Sequence, residues 1–289
     1  MNQPAWWRGM RVNPGFLALA VFYLVGGHGK EFVVAFLVIT LHEVAHAVVA
    51  DGYGLTVERM ELWPFGGIAR ITGLSSRDRY VEAMVAVAGP LQNFVLAALT
   101  WLIGPYLPLN SLWLHDFIAV NLGIGALNLL PAAPLDGGRL ARLYWAERVG
   151  YEQAERRVTA FGRWLAGGIL VVTVLSFITG RPQLSLGVFG GFLYWGTQQS
   201  DKRAPYWIVR DLHLRPAWFR TRPVWAVDDF AIRADAPVSE VLKVMRPARY
   251  HRVVVLNAEL VLLGTLYEED LIRGLHEQGP SICAGDLLR

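Results

Sequence analysis

Cysteine occurs once in the 289 residues, at Cys283. One thiol allows no intrachain disulfide, and it excludes a cysteine-rich zinc site or a CxxC redox pair. Charge is scarce as well. Asp, Glu, Lys and Arg make up 18% of the chain, where a soluble domain carries about 25%. Lysine is confined to Lys30, Lys202 and Lys243. The charges are sparse before Ser200 and dense after it, a pattern expected of a membrane portion followed by a soluble one. The net charge of +3 does not require nucleic acid as a partner. Part of the basic excess is a cluster of Lys202, Arg203, Arg210, Arg215, Arg220 and Arg222 just past the last apolar run. Such a cluster suits either anionic lipid headgroups or a solvated linker.

What the chain has instead is apolar length. Hydrophobic residues are 54% of it, gathered in six stretches at 14–26, 32–50, 81–103, 112–130, 164–179 and 184–197. A bilayer needs about 20 apolar residues per helix, so the first and last stretches are short. Arg8 and Arg11 before the first stretch mimic a secretory leader. With no small-x-small cleavage site following, it reads as an uncleaved first span. The loops after the first, third and fifth stretches hold only Lys30 and Arg181, whereas the opposite side collects Arg70, Arg77, Arg139, Arg142, Arg156 and others. The positive-inside rule then places both termini in the cytoplasm. The expected architecture is a polytopic α-helical membrane protein of about six spans over 1–200, a basic linker over 201–222, and a small α/β module over 223–289. Between the second and third stretches, "TVERMELWPFGGIARITG" alternates like two strands about a Gly-containing turn. Its apolar tip permits a re-entrant hairpin buried in the protein's own interior.

The second stretch contains His42-Glu43-Val44-Ala45-His46. Histidines four apart share one helix face and can ligate one zinc ion, and the adjacent glutamate can act as general base on a bound water. HExxH alone arises by chance in many chains. Its position sharpens it, because an ionisable group in mid-span costs about 2.5–3.5 kcal/mol on insertion scales and usually faces an interior site. A catalytic zinc takes three protein ligands. His28 and His115 sit towards the outer ends of their segments. Asp136, in "NLLPAAPLDGGRL", follows a span broken by Pro131, Pro134, Gly137 and Gly138. It suits a third ligand, and it equally suits the N-cap of a following helix. A metal transporter or an inert metal-holding scaffold is the reading from another class. It would spread polar residues over several spans, whereas here they cluster.

HExxH followed by Asn128-x-x-Pro131-x-x-x-x-Asp136-Gly137, together with Gly89-Pro90-Leu91-Gln92-Asn93, resembles the site-2 protease family of intramembrane zinc metalloproteases. Prenyl-protein proteases also carry HExxH but use a glutamate where this chain has Asp136. The six-span core with a C-terminal tail is similar to the family's sporulation branch, in which a CBS domain follows the membrane core. The resemblance implies Zn2+ on His42, His46 and Asp136, with Glu43 catalytic. It implies substrate or oxyanion roles for Asn93 and Asn128, and a hairpin around Gly66 and Gly67 that pairs with extended substrate. It implies a bacterial cell membrane location and a membrane-associated protein substrate, a sigma-factor precursor in the sporulation branch, with an inhibitory membrane partner possible in principle. "GTLYEEDL" resembles the end of a CBS motif, implying ATP or another adenine nucleotide near Asp270. Tyr267 stands where that motif usually has threonine. Because CBS units work in pairs, it also implies a homo-oligomer.

Overall fold

The structure, a computed structural model, describes residues 11–12, 14–63, 66–72, 79–108, 110–180, 183–201, 224, 226–246, 249–279 and 281–288. The hairpin tip Pro64-Phe65 and the basic cluster between Lys202 and Arg222 lie outside the described residues. The chain divides into two units, Met1–Leu140 with Phe161–Thr197, and Ala141–Ala160 with Gln198–Arg289.

Six helices fall on the six apolar stretches: α1 (Pro14–Val25), α2 (Gly29–Gly52), α3 (Arg79–Ile103), α4 (Ser111–Asn128), α6 (Tyr151–Ile178) and α7 (Leu184–Asp201). A further helix, α5 (Asp136–Val149), precedes α6. Among the described residues, three helical segments are long and apolar enough to cross a membrane: α2, α3 with its terminal turn to Tyr106, and α6. The helices α1, α4 and α7 have 12, 18 and 18 residues. Much of the apolar surface points outward: Val33, Leu37 and Val48 on α2, Leu91, Val95 and Leu99 on α3, and Val171, Val174 and Leu175 on α6 are all exposed. In water such surface would drive association. In hydrocarbon it is the solvated face, and the helix satisfies its own backbone groups.

The buried faces are where the polar residues of α2 and α3 lie, among small and apolar ones. On α2 the buried residues Val34, Val38, His42, His46 and Ala50 recur every fourth position, forming one stripe down the helix. On α3, Glu82, Ala86, Gly89, Asn93 and Ala97 form the matching stripe. Small residues let the backbones approach. A Cβ on Gly125 of α4 would stand 3.2 Å from Asn93 Cβ.

The expected hairpin is present as β2 (Thr56–Trp63) and β3 (Gly66–Thr72), antiparallel, with Trp63 opposite Gly66. A third strand was not foreseen. β1 (Arg11–Val12) pairs parallel with β2 at Glu61 and Leu62, giving the order β1-β2-β3.

The second unit holds a three-stranded sheet, β4 (Val227–Arg233), β5 (Tyr250–Leu256) and β6 (Leu262–Tyr267), with β4 parallel and β6 antiparallel to β5. Two helices accompany it, α8 (Ser239–Val244) and α9 (Glu268–Glu277). Alternate residues His251, Val253 and Val255 of β5 are buried, in a core that also takes Met245, Leu266 and Leu271. Gly150 turns the chain between α5 and α6 at φ +85, a conformation glycine adopts without strain. The next residue, Tyr151, donates its backbone N–H to Met245 O at 3.4 Å.

Candidate metal centre

The site gathers three elements of the first unit. The stripe on α2 supplies His42 and His46, each 4% exposed. Asp136 comes from the first residue of α5, where the chain has just broken from α4. Segment 129–133 folds back over that first turn so closely that a Cβ on Gly137 would stand 2.2 Å from Leu129 O, and one on Gly138 2.5 Å from Ala132 O. The two glycines after Asp136 are therefore a packing requirement of the bend that aims the carboxylate. Asp136 thus starts a helix, with its carboxylate in reach of both imidazoles.

The donor atoms form a nearly equilateral triangle. His42 Nε2 and His46 Nε2 are 3.1 Å apart, and each is 3.1 Å from Asp136 Oδ2. A tetrahedral ion with bonds of about 2.0–2.1 Å spaces its ligands by about 3.3 Å. The protons of the two rings bear on what the triangle can hold. His46 Nδ1 lies 2.6 Å from Val85 O, and a carbonyl can only accept, so that nitrogen carries the ring's proton. The Nε2 of neutral His46 is then a bare acceptor aimed at a carboxylate and a second imidazole. A proton on His42 Nε2 or a cation shared by all three groups relieves that arrangement. The surroundings fit an ion too. A Cβ on Gly89 of α3 would sit 2.5 Å from both Nε2 atoms, so α3 borders the triangle as bare backbone. Asp136 Oδ1 has Arg139 Nη1 at 3.8 Å. Among the described residues, this is the one group of three His, Cys, Asp or Glu side chains close enough to share a metal.

Glu43 lies within the electrostatic reach of His46, His42, Asp136 and Arg139, beside the triangle and not part of it. Asn93, fully buried, lies behind His42 with Nδ2 3.1 Å from Nδ1. Asn128 ends α4 half-buried and donates Nδ2–H to Ile124 O at 3.1 Å. Gly66 and Gly67 open β3. His28 immediately precedes α2, and His115 Nδ1 lies 2.7 Å from Ser111 O; neither belongs to the triangle. Asp270 sits in the other unit. Its Oδ2 accepts the Tyr267 N–H at 3.0 Å and its Oδ1 pairs with Arg273, so a ribose there would compete with a helix cap. Sequence reasoning missed the roles of Gly89, the Val85 carbonyl and Arg139. The Gly89-x-x-x-Asn93 spacing was the available signal, since both lie on the face of α3 turned to the histidines.

Fold and site together describe an HExxH protein with helices apolar and long enough to cross a membrane around side chains that could share a metal. Residues 31–112 match peptidase family M50, and residues 221–277 match the CBS domain. The chain is 27% identical over 248 residues to the stage IV sporulation protein FB of Bacillus subtilis, covering 85% of this chain and 84% of that one. It is 29% identical over 174 residues to the zinc metalloprotease MJ0392 of Methanocaldococcus jannaschii, covering 59% of this chain and about half (49%) of the relative's length. Among solved structures, the site-2 protease from Methanocaldococcus jannaschii superposes with a TM-score of 0.56 at 26% identity, over 66% of this chain and 90% of that one. The segment that carries both histidines thus belongs to peptidase family M50, the site-2 protease family, and it is followed by a CBS domain.

Proposed function

We propose that the protein is an intramembrane zinc endopeptidase that hydrolyses a peptide bond of a membrane-associated protein, held in a six-span core with both termini in the cytoplasm. The observation that carries this is the triangle of His42 Nε2, His46 Nε2 and Asp136 Oδ2, 3.1 Å on each side, within the electrostatic reach of Glu43. His42, His46 and Asp136 would hold the ion. When bound, zinc supplies Lewis acidity, polarising the scissile carbonyl and bringing a bound water's pKa near 7. Glu43 would accept a proton from the attacking water and give it to the leaving amine, a single carboxylate serving as base and then acid. Asn128 retains one amide hydrogen beyond its bond to Ile124 and is the remaining candidate for the oxyanion. The chain must also accept an unwound substrate. β3 has an outer edge that no described strand pairs, and an extended segment added there satisfies its freed backbone groups.

A sigma-factor precursor is the substrate we infer from the likeness to the sporulation branch. The CBS-like sheet bears its core on one side and exposes Val227, Leu263 and Tyr267, which supports pairing with a second copy. The test is Glu43→Gln in protein co-expressed with a tagged candidate substrate. Zinc content is expected to persist while cleavage stops. Undiminished cleavage would overturn the mechanism.

A further inference from the structure

We propose that Asn93 is a positioning residue that fixes which nitrogen of His42 is bare. The inference rests on the metal site above and assigns Asn93 a task behind the ligand, away from the substrate. Asn93 is fully buried on α3, its Nδ2 lies 3.1 Å from His42 Nδ1, and its Oδ1 has no partner among the described residues. An unmatched carboxamide oxygen in a span is costly.

Which end of the carboxamide faces His42 depends on where that ring's proton sits. With that proton on Nε2, the ring donates to Asp136 Oδ2 and Nδ1 accepts from Asn93 Nδ2–H. The metal position is then closed by a hydrogen. With the proton on Nδ1, Nε2 is bare and faces the triangle, and the group behind must accept. A half-turn of the carboxamide brings Oδ1 to that place, since its two ends are alike in size and opposite in role. Asn93 therefore satisfies His42 in either tautomer, and its oxygen-in orientation is the one that holds a metal. His46 has no such choice, because the Val85 carbonyl behind it only accepts. One histidine is fixed and the other is set by a side chain that turns.

Partners behind metal-bound histidines are worth about 10–100-fold in affinity. Zinc affinity of the detergent-solubilised full chain, measured by chelator competition, should fall by about that factor in Asn93→Ala. Asn93→Asp, which can only accept, should stay within about threefold of wild type or bind tighter, because it enforces the Nδ1–H tautomer. A donor or purely space-filling role predicts instead that the aspartate variant fails like alanine, and that result would overturn the proposal. So would an alanine variant with wild-type affinity. Nitrogen-15 spectra of histidine-labelled, zinc-loaded wild type need no substitution: the proton of His42 is expected on Nδ1, and its presence on Nε2 refutes the assignment. Failure of the wild-type chain to bind zinc would sink the metal-site reading itself, which separates the two claims.

Discussion

Gly89→Ala adds one methyl group, and its effect can be worked out from the contacts around it. The new Cβ would stand 2.5 Å from His42 Nε2, 2.5 Å from His46 Nε2 and 2.6 Å from His42 Cε1. Comfortable non-bonded contact begins near 3.5 Å, so the shortfall is about 1 Å. The rings cannot simply swing away. His46 is tied by Nδ1–H to the Val85 carbonyl at 2.6 Å, and His42 is backed by Asn93 at 3.1 Å. Both of those partners ride on α3 with residue 89. If α3 backs off from α2 by the missing ångström, the His46–Val85 bond stretches past 3.5 Å and is lost. Overpacking of this kind costs about 1–3 kcal/mol, and replacing a helical glycine returns up to about 1 kcal/mol. Net stability should therefore fall by no more than about 3 kcal/mol, and the protein is expected to stay folded. Metal binding tolerates displacements of only about 0.2 Å and should collapse. Zinc per chain, measured after dialysis against chelator, should be near zero in Gly89→Ala. Gly123→Ala is the control, since a Cβ there meets nothing within 4 Å. Full zinc retention by Gly89→Ala would refute the close approach of α3 to the ligands.

Two further outcomes follow from other parts of the molecule. Asp136→Asn keeps the shape of the third ligand and removes its charge, so zinc content should fall well below one ion per chain while α5 still forms; full metal retention would remove Asp136 from the ligand set. In the second unit, buried Glu268 accepts both the backbone N–H and the Nδ1–H of His251, each at 2.8 Å. Glu268→Ala should orphan these two donors at about 1–3 kcal/mol each and speed amide exchange in β5, and unchanged protection of that strand would disprove the role.

How much of this was legible in the sequence depended on how local each signal was. The helices could be read because apolar composition persists along each run, and the HExxH face because a spacing of four is local; the buried stripes of α2 and α3 run from Val34 to Ala50 and from Glu82 to Ala97. β1 could not be read. Two residues carry no period, and its pairing with Glu61 and Leu62 spans fifty positions of chain. β4 was hidden by Asp228 and Asp229, which interrupt an apolar run. In the fold these are held by Arg249 and Arg252. The grouping of 141–160 with the C-terminal module was equally opaque, since it turns on the conformation of Gly150 and its contact with Met245.

The metal site shows a deeper limit. Motif spacing identifies His42, His46 and Asp136 as candidates, but spacing says nothing of protons, and a ligand is a ligand only through a bare nitrogen. What decides that lies on α3, in a backbone carbonyl at Val85 and a carboxamide at Asn93, and neither is a metal-binding residue type. The same helix must come within touching distance of the rings, which is why position 89 has no side chain. Val85, Gly89 and Asn93 follow each other at intervals of four, so one face of one helix supplies the proton acceptor, the clearance and the tautomer control. The GPxxN element is thus half of the metal site, and a chain that kept HExxH and Asp136 while replacing that face should hold no zinc.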